Sequence, residues 1–311
     1  MSTRIIEPTA AITARALTKR YGEVEALRGV DLEVRRGEIF AFLGPNGAGK
    51  TTALEILEGF RRPSTGEVSV LGIDPARGGR RWRERVGVVL QGSRPEPGLS
   101  VRESLELYAG YYTRPRGVEE TLALAGLCDR ADALAAQLSG GQRRRLDVAL
   151  ALIGDPELLF LDEPTTGFDP SARQAAWSMI EGLRKLGKTV LLTTHYMDEA
   201  ERLADRIAVI AGGEIVAEGP PGTIGGRNRQ AATIRFTLPA AIEASELAAL
   251  QRPAVTGAGG AVTIRSESPL ADLHALAEWA LTRGLDLPDL EVRRPMLEDV
   301  YLALTNGREE S

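Results

Sequence analysis

The chain has 311 residues, 43% of them hydrophobic and 26% charged, which is ordinary for a globular protein and long enough for two domains. Its net charge of −5 argues against binding nucleic acid or an anionic membrane surface through bulk charge. The single cysteine, Cys128, excludes an internal disulfide, and no apolar run approaches the ~20 residues that a membrane-spanning helix needs. We therefore expect no nucleic-acid partner, no direct membrane span and no signal peptide in residues 1–10.

The first 43 residues predict a hairpin followed by a buried strand. Residues 12–34 alternate loosely between polar and apolar types and break near Gly22 and Gly37, which is typical of paired strands. Residues 39–43 form a short apolar run that indicates a buried strand. Tyr21, in the hairpin, serves either simple packing or stacking on an adenine base, and the residues alone leave both open.

A phosphate-binding loop follows this strand. Residues 44–52 fit the pattern G-x-x-x-x-G-K-[ST], and a helical composition follows as far as Phe60. The glycines let backbone N–H groups point at phosphate oxygens, and the helix N-terminus adds a favourable potential. Lys50 is placed to reach the β- and γ-phosphates, and Thr51 offers a hydroxyl to Mg²⁺. The predicted nucleotide-binding residues here are Gly44, Pro45, Asn46, Gly47, Ala48, Gly49, Lys50, Thr51 and Thr52.

Two further segments carry polar residues where a nucleotide would bind. Residues 86–90 indicate a buried strand that ends at Gln91, and open α/β sheets bind ligands at the carboxyl ends of their strands. Leu138-Ser139-Gly140-Gly141-Gln142 precedes a stretch with apolar residues at helical spacing. The N-terminus of that helix suits an anion, because free N–H groups converge there. Alternatively, Ser139 is only the cap of the helix.

An apolar strand over 158–161 ends in two adjacent carboxylates, Asp162 and Glu163. Burying such charged groups at the end of a strand costs free energy unless they pair with a cation or accept a proton from a substrate. With a phosphate loop upstream, Asp162 is the expected Mg²⁺ ligand through water, and Glu163 the general base for the attacking water. Asp169 and Pro170 begin the next helix. His195 follows a buried strand over 189–194, beside the expected nucleotide.

A break at Gly219-Pro220-Pro221-Gly222 predicts a domain boundary, with a nucleotide-binding domain over 1–222 and a small α+β domain over 223–311. The pattern of the second domain predicts alternating strands and helices. The strands are expected at 233–238, 262–265 and 287–292, and the helices at 242–250, 270–283 and 297–304.

As a set and in this order, the motifs resemble those of the ATP-binding subunits of ABC transporters, over about residues 12–220. The resemblance identifies 44–52 as Walker A, Gln91 as the Q-loop, 138–142 as the signature, 158–163 as Walker B and 167–170 as the D-loop, with His195 as the switch histidine. Phe168 departs from the leucine that the family usually carries. The implied fold is an α/β P-loop NTPase core with antiparallel β and helical subdomains.

The resemblance also implies a site and a mechanism. ATP and Mg²⁺ are the implied cofactors, and two copies are expected to face each other head to tail as a homodimer. Each ATP would lie between the Walker A loop of one copy and the signature of the other, and closure on ATP would drive a separate transmembrane permease at the cytoplasmic face of the cell membrane. The implied catalytic residues are Glu163, His195 and Gln91. The implied metal-binding residues are Thr51, Gln91 and Asp162. The further implied nucleotide contacts are Tyr21, Ser139, Gly140, Gly141 and Gln142.

The C-terminal stretch 294–305 resembles the tail motif of daunorubicin-resistance exporters, which favours an ABC-2 type exporter of a drug-like or lipid-like substrate. The main alternative is a non-transport ABC ATPase that acts in translation or chromosome maintenance. Those translation factors carry two such modules, whereas this chain has one. The chromosome proteins separate Walker A from the signature by long coiled coils, for which this chain has no room. A regulator that binds nucleotide without hydrolysing it is disfavoured by Glu163 and His195.

Overall fold

The structure is a computed structural model that describes residues 10–89, 96–229, 231–239, 242, 254–256 and 260–305. The chain divides into two compact units, Met1–Pro221 and Gly222–Ser311. The strands are β1 (Ala10–Tyr21), β2 (Val24–Arg35), β3 (Ile39–Leu43), β4 (Thr65–Val70), β5 (Val86–Val89), β6 (Leu158–Asp162), β7 (Thr189–Thr194), β8 (Arg206–Ala211), β9 (Glu214–Gly219), β10 (Ala232–Thr237), β11 (Ala254–Thr256), β12 (Ala261–Ser266) and β13 (Glu291–Arg293). The helices are α1 (Lys50–Leu57), α2 (Arg80–Arg83), α3 (Val101–Ala109), α4 (Val118–Ala125), α5 (Gly140–Leu152), α6 (Pro170–Lys185), α7 (Met197–Leu203), α8 (Pro269–Thr282) and α9 (Leu297–Thr305).

The first unit is built on a sheet with the strand order β5-β6-β7-β3-β8-β9, parallel except for β9. Every residue of β3, β6 and β7 is buried, as expected of parallel strands covered on both faces. The register pairs Leu43 with Thr194 and Asp162 with Thr193. The carboxyl ends of the three central strands therefore meet at one edge of the sheet, and the phosphate loop and the paired carboxylates follow directly from them.

Two smaller substructures complete this unit. A separate antiparallel sheet has the order β2-β1-β4, and it includes the predicted hairpin. Helices α3, α4 and α5 share their own apolar core, which includes Val101, Leu122 and Leu146. The expected P-loop core with antiparallel and helical subdomains is confirmed. Helix α1 ends at Leu57, earlier than predicted, because Gly59 takes a left-handed conformation with φ of 82°.

The second unit is an antiparallel sheet with the order β11-β12-β10-β13 and with α8 on its apolar face. Leu297 and Val300 of α9 are buried, and α9 packs beside Ile224–Arg229 of the same unit. The predicted strand over 287–292 is wrong before Glu291, because a turn occupies residues 288–289. There the carbonyl of Pro288 accepts from the N–H of Thr237 at 2.8 Å, and the carboxylate of Asp289 from its hydroxyl at 3.0 Å. The predicted helix over 242–250 lies, apart from residue 242, outside the described residues.

Within the described parts of the chain, none of the helices has the length and apolar character that crossing a bilayer requires.

Candidate active site

The loop between β3 and α1 is held against the strands beside it. The N–H of Gly44 donates to the carbonyl of Thr194 at 3.3 Å, and a Cβ at Gly44 would lie 2.4 Å from the carbonyl oxygen of Ile210. Gly49 has φ of 107° and passes so close to β2 that a Cβ would lie 2.6 Å from the carbonyl oxygen of Ala26. Only glycine fits either position, because backbone atoms block a side chain at both. The conformation of the loop is thus set by its glycines.

Lys50 is the first residue of α1, and its side chain folds back over the loop. Its ammonium donates to the carbonyl oxygens of Gly44 at 2.6 Å and Pro45 at 3.1 Å. The side chain is 5% exposed, and this burial lowers the pKa of Lys50, although Glu163 and Asp162 oppose the shift. Nζ lies 3.7 Å from Oε1 of Glu163. The loop thus holds a cation beside the carboxylate that follows β6.

Glu163 is fixed from three sides. Its N–H donates to the hydroxyl of Thr193 at 3.0 Å, and its Oε2 accepts from the hydroxyl of Thr166 at 3.0 Å. Its Oε1 lies 3.2 Å from Nδ1 of His195. The structure therefore brings together Lys50, Glu163 and His195, which are widely separated in the sequence. The arrangement can orient a water on the carboxylate, with an imidazole beside it to hold or pass a proton.

Asp162 fits a magnesium site of the kind that also uses phosphate oxygens. It is 5% exposed, and its Oδ1 accepts from the hydroxyl of Thr193 at 2.5 Å. Thr51 is exposed at the start of α1. The described residues contain no group of three or more His, Cys, Asp or Glu side chains that could hold a metal by themselves. Mg²⁺ is commonly held by one or two carboxylates together with substrate phosphates and water, so this donor set suits it.

The signature and D-loop residues border one cavity of about 480 Å³, together with Glu163. Ser139 is the N-cap of α5: its hydroxyl accepts from the N–H of Gln142 at 3.3 Å, and Oε1 of Gln142 accepts from the N–H of Ser139 at 2.9 Å. The predicted cap is thus confirmed as a reciprocal capping box. Gly140 is exposed, and a Cβ there would meet nothing within 4 Å. The start of α5 is therefore open to a ligand that approaches from outside.

Of the other predicted residues, one lies outside the described part, one lies apart from this cluster, and two D-loop residues border the cavity. Gln91 is outside the described residues. Tyr21, at the end of β1, is 38% exposed, and the guanidinium of Arg61 lies 5.1 Å from its ring centroid. Phe168 borders the cavity beside the signature and is half-buried. Asp169 caps α6 through bonds of 2.9 Å from the N–H groups of Ser171 and Ala172.

Sequence reasoning missed two residues that hold the site together. The Thr193 hydroxyl contacts both Asp162 and the N–H of Glu163. The guanidinium of Arg144, on α5, donates to the carbonyls of Asp162 at 2.6 Å and Pro164 at 3.3 Å. It thereby connects the signature helix to the segment that carries Glu163. Thr193 could have been found from its position as an inward-facing threonine two residues before His195. No local sequence pattern marks Arg144.

Comparison with known proteins agrees with this geometry. The family model described as "ABC transporter" matches residues 27–166, and a C-terminal model described as "ABC transporter domain-containing protein-like, C-terminal domain" matches 232–296. The Nod factor export ATP-binding protein I of Rhizobium meliloti (strain 1021) is 40% identical over 308 residues, which cover 97% of this chain and 90% of that protein. The chain belongs to the ABC transporter ATP-binding family. The daunorubicin resistance ATP-binding protein DrrA3 of Streptomyces coeruleorubidus is 39% identical over 313 residues, covering 95% of this chain and 96% of that protein.

Solved structures support the same assignment. The dimeric, post-hydrolysis ATP-binding cassette MJ0796 bound to ADP and Pi matches with a TM-score of 0.60 and 29% identity, over 67% of this chain and 98% of that one. The subunit cbiO1 from Clostridium perfringens gives a TM-score of 0.62 and 29% identity, over 69% and 90% of the two chains. This member of the family is an ATP-hydrolysing subunit of an ABC-2 type exporter, and a non-transport role is not favoured.

Proposed function

We propose that this chain hydrolyses ATP at Lys50, Asp162 and Glu163 to drive a separate membrane permease. The observation that carries the proposal is the convergence of Lys50 Nζ and His195 Nδ1 on Oε1 of Glu163, at 3.7 and 3.2 Å. Lys50 binds the β- and γ-phosphates once they displace its ammonium from the loop carbonyls. Mg²⁺, when bound by Thr51, Asp162 and Gln91, neutralises phosphate charge.

Glu163 is the general base in this proposal. Its carboxylate accepts a proton from the attacking water, and the bond from Thr166 keeps Oε2 in position while Oε1 faces His195. His195 orients the carboxylate and the γ-phosphate. Gln91 senses the nucleotide, the region after it contacts the permease, and Tyr21 stacks on the adenine.

A second copy completes each site. Ser139, Gly140 and Gly141 begin a helix that is open at its N-terminus, a place that favours phosphate. The head-to-tail arrangement places this terminus on the γ-phosphate bound by the partner's loop. The dimeric cassette that this chain resembles supports such an assembly. Because export needs a path through the bilayer, the dimer works at the cytoplasmic face of the membrane, held there by its permease.

The cargo is proposed to be an amphipathic, drug-like or lipid-like compound. The support is that the relatives carry the names Nod factor export and daunorubicin resistance. The second unit acts as an accessory domain that strengthens the dimer or its coupling to the permease. Deleting residues 223–311 should then leave ATP affinity intact while weakening dimerisation, and equal dimerisation with equal transport would exclude that role.

The variant Glu163→Gln tests the catalytic assignment. Turnover should fall by about 10²–10⁴-fold, because the base is lost, while ATP should still bind and hold the dimer closed. Steady-state phosphate release and sedimentation with ATP measure the two effects. Near-normal hydrolysis by pure Glu163→Gln protein would show that another group is the base.

The shared site is tested by mixing two inactive variants, Lys50→Ala and Ser139→Arg. A heterodimer of the two restores up to one intact composite site and with it part of the activity. A cysteine pair placed near Ser139 and Gly47 reports heterodimer formation by crosslinking. Heterodimers that form without restoring hydrolysis, together with no crosslink between the two introduced cysteines in ATP-bound protein that is otherwise wild type, would refute the composite site.

A further inference from the structure

Glu199 is a buried acidic residue that the site described above does not use. It lies in the first turn of α7, four residues after His195, and it is completely buried. Its Oε1 accepts two hydrogen bonds, from the hydroxyl of Thr165 at 2.7 Å and from the indole N–H of Trp177 at 3.1 Å. Burying a carboxyl group costs free energy that a leucine at the same position would not, so these hydrogen bonds need an explanation beyond packing.

The two donors belong to segments on either side of the D-loop. Thr165, which is also completely buried, lies two residues after Glu163 in the chain. Trp177 is a buried residue of α6, whose first residue, Pro170, ends the D-loop. Helix α7 itself follows His195 closely. One carboxyl oxygen therefore connects the segment after Glu163, the helix after the D-loop and the helix after His195.

The backbone at Glu163 needs such a contact. Glu163 has φ of 45°, a left-handed conformation that is strained for a non-glycine residue and persists only where surrounding contacts hold it. On one side, its N–H donates to both the carbonyl and the hydroxyl of Thr193. On the other side, the hydroxyl of Thr165 donates to Glu199. The turn that carries Glu163 is thus held from β7 and from α7, which are the two elements on either side of His195.

We propose that Glu199 is a positioning residue that sets the distance between Glu163 and His195. The contact of 3.2 Å between Oε1 of Glu163 and Nδ1 of His195 joins segments that are 32 residues apart in the chain. Because α7 follows His195 and binds Thr165, a shift of α7 relative to Thr165 would change that distance. A misplacement of about 1 Å can lower the rate of a catalytic site about 10²-fold. This inference rests on the proposed function, in which Glu163 is the general base.

The test compares two replacements of Glu199 in the full-length chain. Glu199→Leu removes both hydrogen bonds, and turnover in ATP hydrolysis should fall about 10–100-fold. Glu199→Gln keeps a carbonyl oxygen that accepts both bonds, so its turnover should stay within about threefold of wild type. The affinity for a non-hydrolysable ATP analogue should change by less than about twofold in both variants, since Lys50 keeps its contacts with the phosphate loop. Unchanged turnover in Glu199→Leu, or an equal loss in both variants, would overturn the proposal.

A second buried glutamate, Glu38, serves as the matched control for a general loss of stability. It is 8% exposed and accepts from the N–H of Arg35 at 2.6 Å and from the guanidinium of Arg206 at 3.0 Å. Glu38 precedes β3, whereas Glu163 follows β6, so the two residues lie at opposite edges of the parallel sheet. Glu38→Leu should lower the unfolding temperature, because it removes both bonds, yet leave turnover per folded molecule unchanged. If its turnover falls as far as that of Glu199→Leu, the effect is general destabilisation and the proposal is wrong.

Two further variants apply even if Glu199→Leu does not fold. Thr165→Val and Trp177→Phe each remove one donor while Glu199 stays in place. Thr165→Val should lower turnover about tenfold without changing the affinity for the analogue, because Thr165 is the donor that belongs to the segment of Glu163. Trp177→Phe should have a smaller effect. Normal turnover in Thr165→Val would refute the positioning role.

The variant Glu163→Gln separates this inference from the proposed function. If Glu163→Gln hydrolyses ATP normally, the general-base assignment fails, and Glu199 has no base to position. If Glu163→Gln is inactive while Glu199→Leu and Thr165→Val match wild type, the proposed function stands and this inference falls.

Discussion

Replacing Thr193 by valine tests how β7 holds the carboxylate of Asp162. The substitution keeps the shape of the side chain but removes a hydroxyl that donates to Asp162 at 2.5 Å and accepts from the N–H of Glu163 at 3.0 Å. The N–H of Glu163 still donates to the carbonyl of Thr193 at 3.2 Å, so the substitution mainly removes the hydrogen bond to the carboxylate of Asp162. A hydrogen bond to a charged group contributes about 1.5–3 kcal/mol, and we expect the free energy of unfolding to fall by that amount.

The functional consequence should appear in the magnesium dependence. Without the hydroxyl, Asp162 loses its fixed orientation, and a loss of about 1.4 kcal/mol in Mg²⁺ binding raises the half-maximal concentration about tenfold. The assay is ATP hydrolysis titrated with Mg²⁺ at saturating ATP. The matched control is Thr189→Val on the same strand, where the hydroxyl accepts from the N–H of Gly37 at 2.9 Å. If the Mg²⁺ curve of Thr193→Val superimposes on that of Thr189→Val, Thr193 does not position Asp162.

Three further predictions test other parts of the structure. Lys50→Ala should weaken ATP binding at least about tenfold, measured by nucleotide titration, because it removes the buried cation that we propose binds phosphate. Hydrogen bonds from Arg85, and then Arg36, lower the pKa of Glu157 to about 2 despite its partial burial. The stabilising effect of the Glu157 carboxylate is therefore complete above about pH 4.5 and is lost as the pH falls through about 2. Between these pH values, the urea midpoint of unfolding should fall less steeply in Glu157→Gln than in wild type. Asp169→Ala should reduce the free energy of unfolding by about 0.5–2 kcal/mol in thermal denaturation through loss of the α6 cap, whereas Asp169→Asn should cost far less.

Local patterns predicted the parts of the fold that depend on neighbouring residues. The buried strands β3, β6 and β7 were readable because parallel strands covered on both faces need continuous apolar runs. Helix α3 begins at a capping box of Ser100 and Glu103, a signal carried by neighbouring residues, and both of its hydrogen bonds are present. The strand predicted over 287–290 failed for a physical reason: Thr237, remote in sequence, stabilises a turn at Pro288 and Asp289.

In the site, too, residues that belong to local motifs could be predicted, whereas contacts between residues remote in sequence could not. The order of motifs predicted that Lys50, Asp162, Glu163 and His195 belong to the site. These residues converge because the strands that precede them end at one edge of the sheet. Side-chain contacts across that edge of the sheet could not be predicted from the sequence, because they depend on strand register and side-chain rotamers. The burial of Glu58, which follows the last residue of α1 and is 6% exposed, was equally hidden, since a glutamate near the end of a helical stretch normally faces solvent.

The backbone at Glu163 has a consequence for evolution of the chain. Glu163 is a non-glycine residue with φ of 45°, a left-handed conformation that costs on the order of 1–2 kcal/mol for an ordinary side chain. Glycine would adopt the same turn without strain. Selection for thermal tolerance alone would therefore favour glycine at this position, which would remove the proposed general base, so a screen for heat-resistant variants of this chain needs a turnover assay beside it.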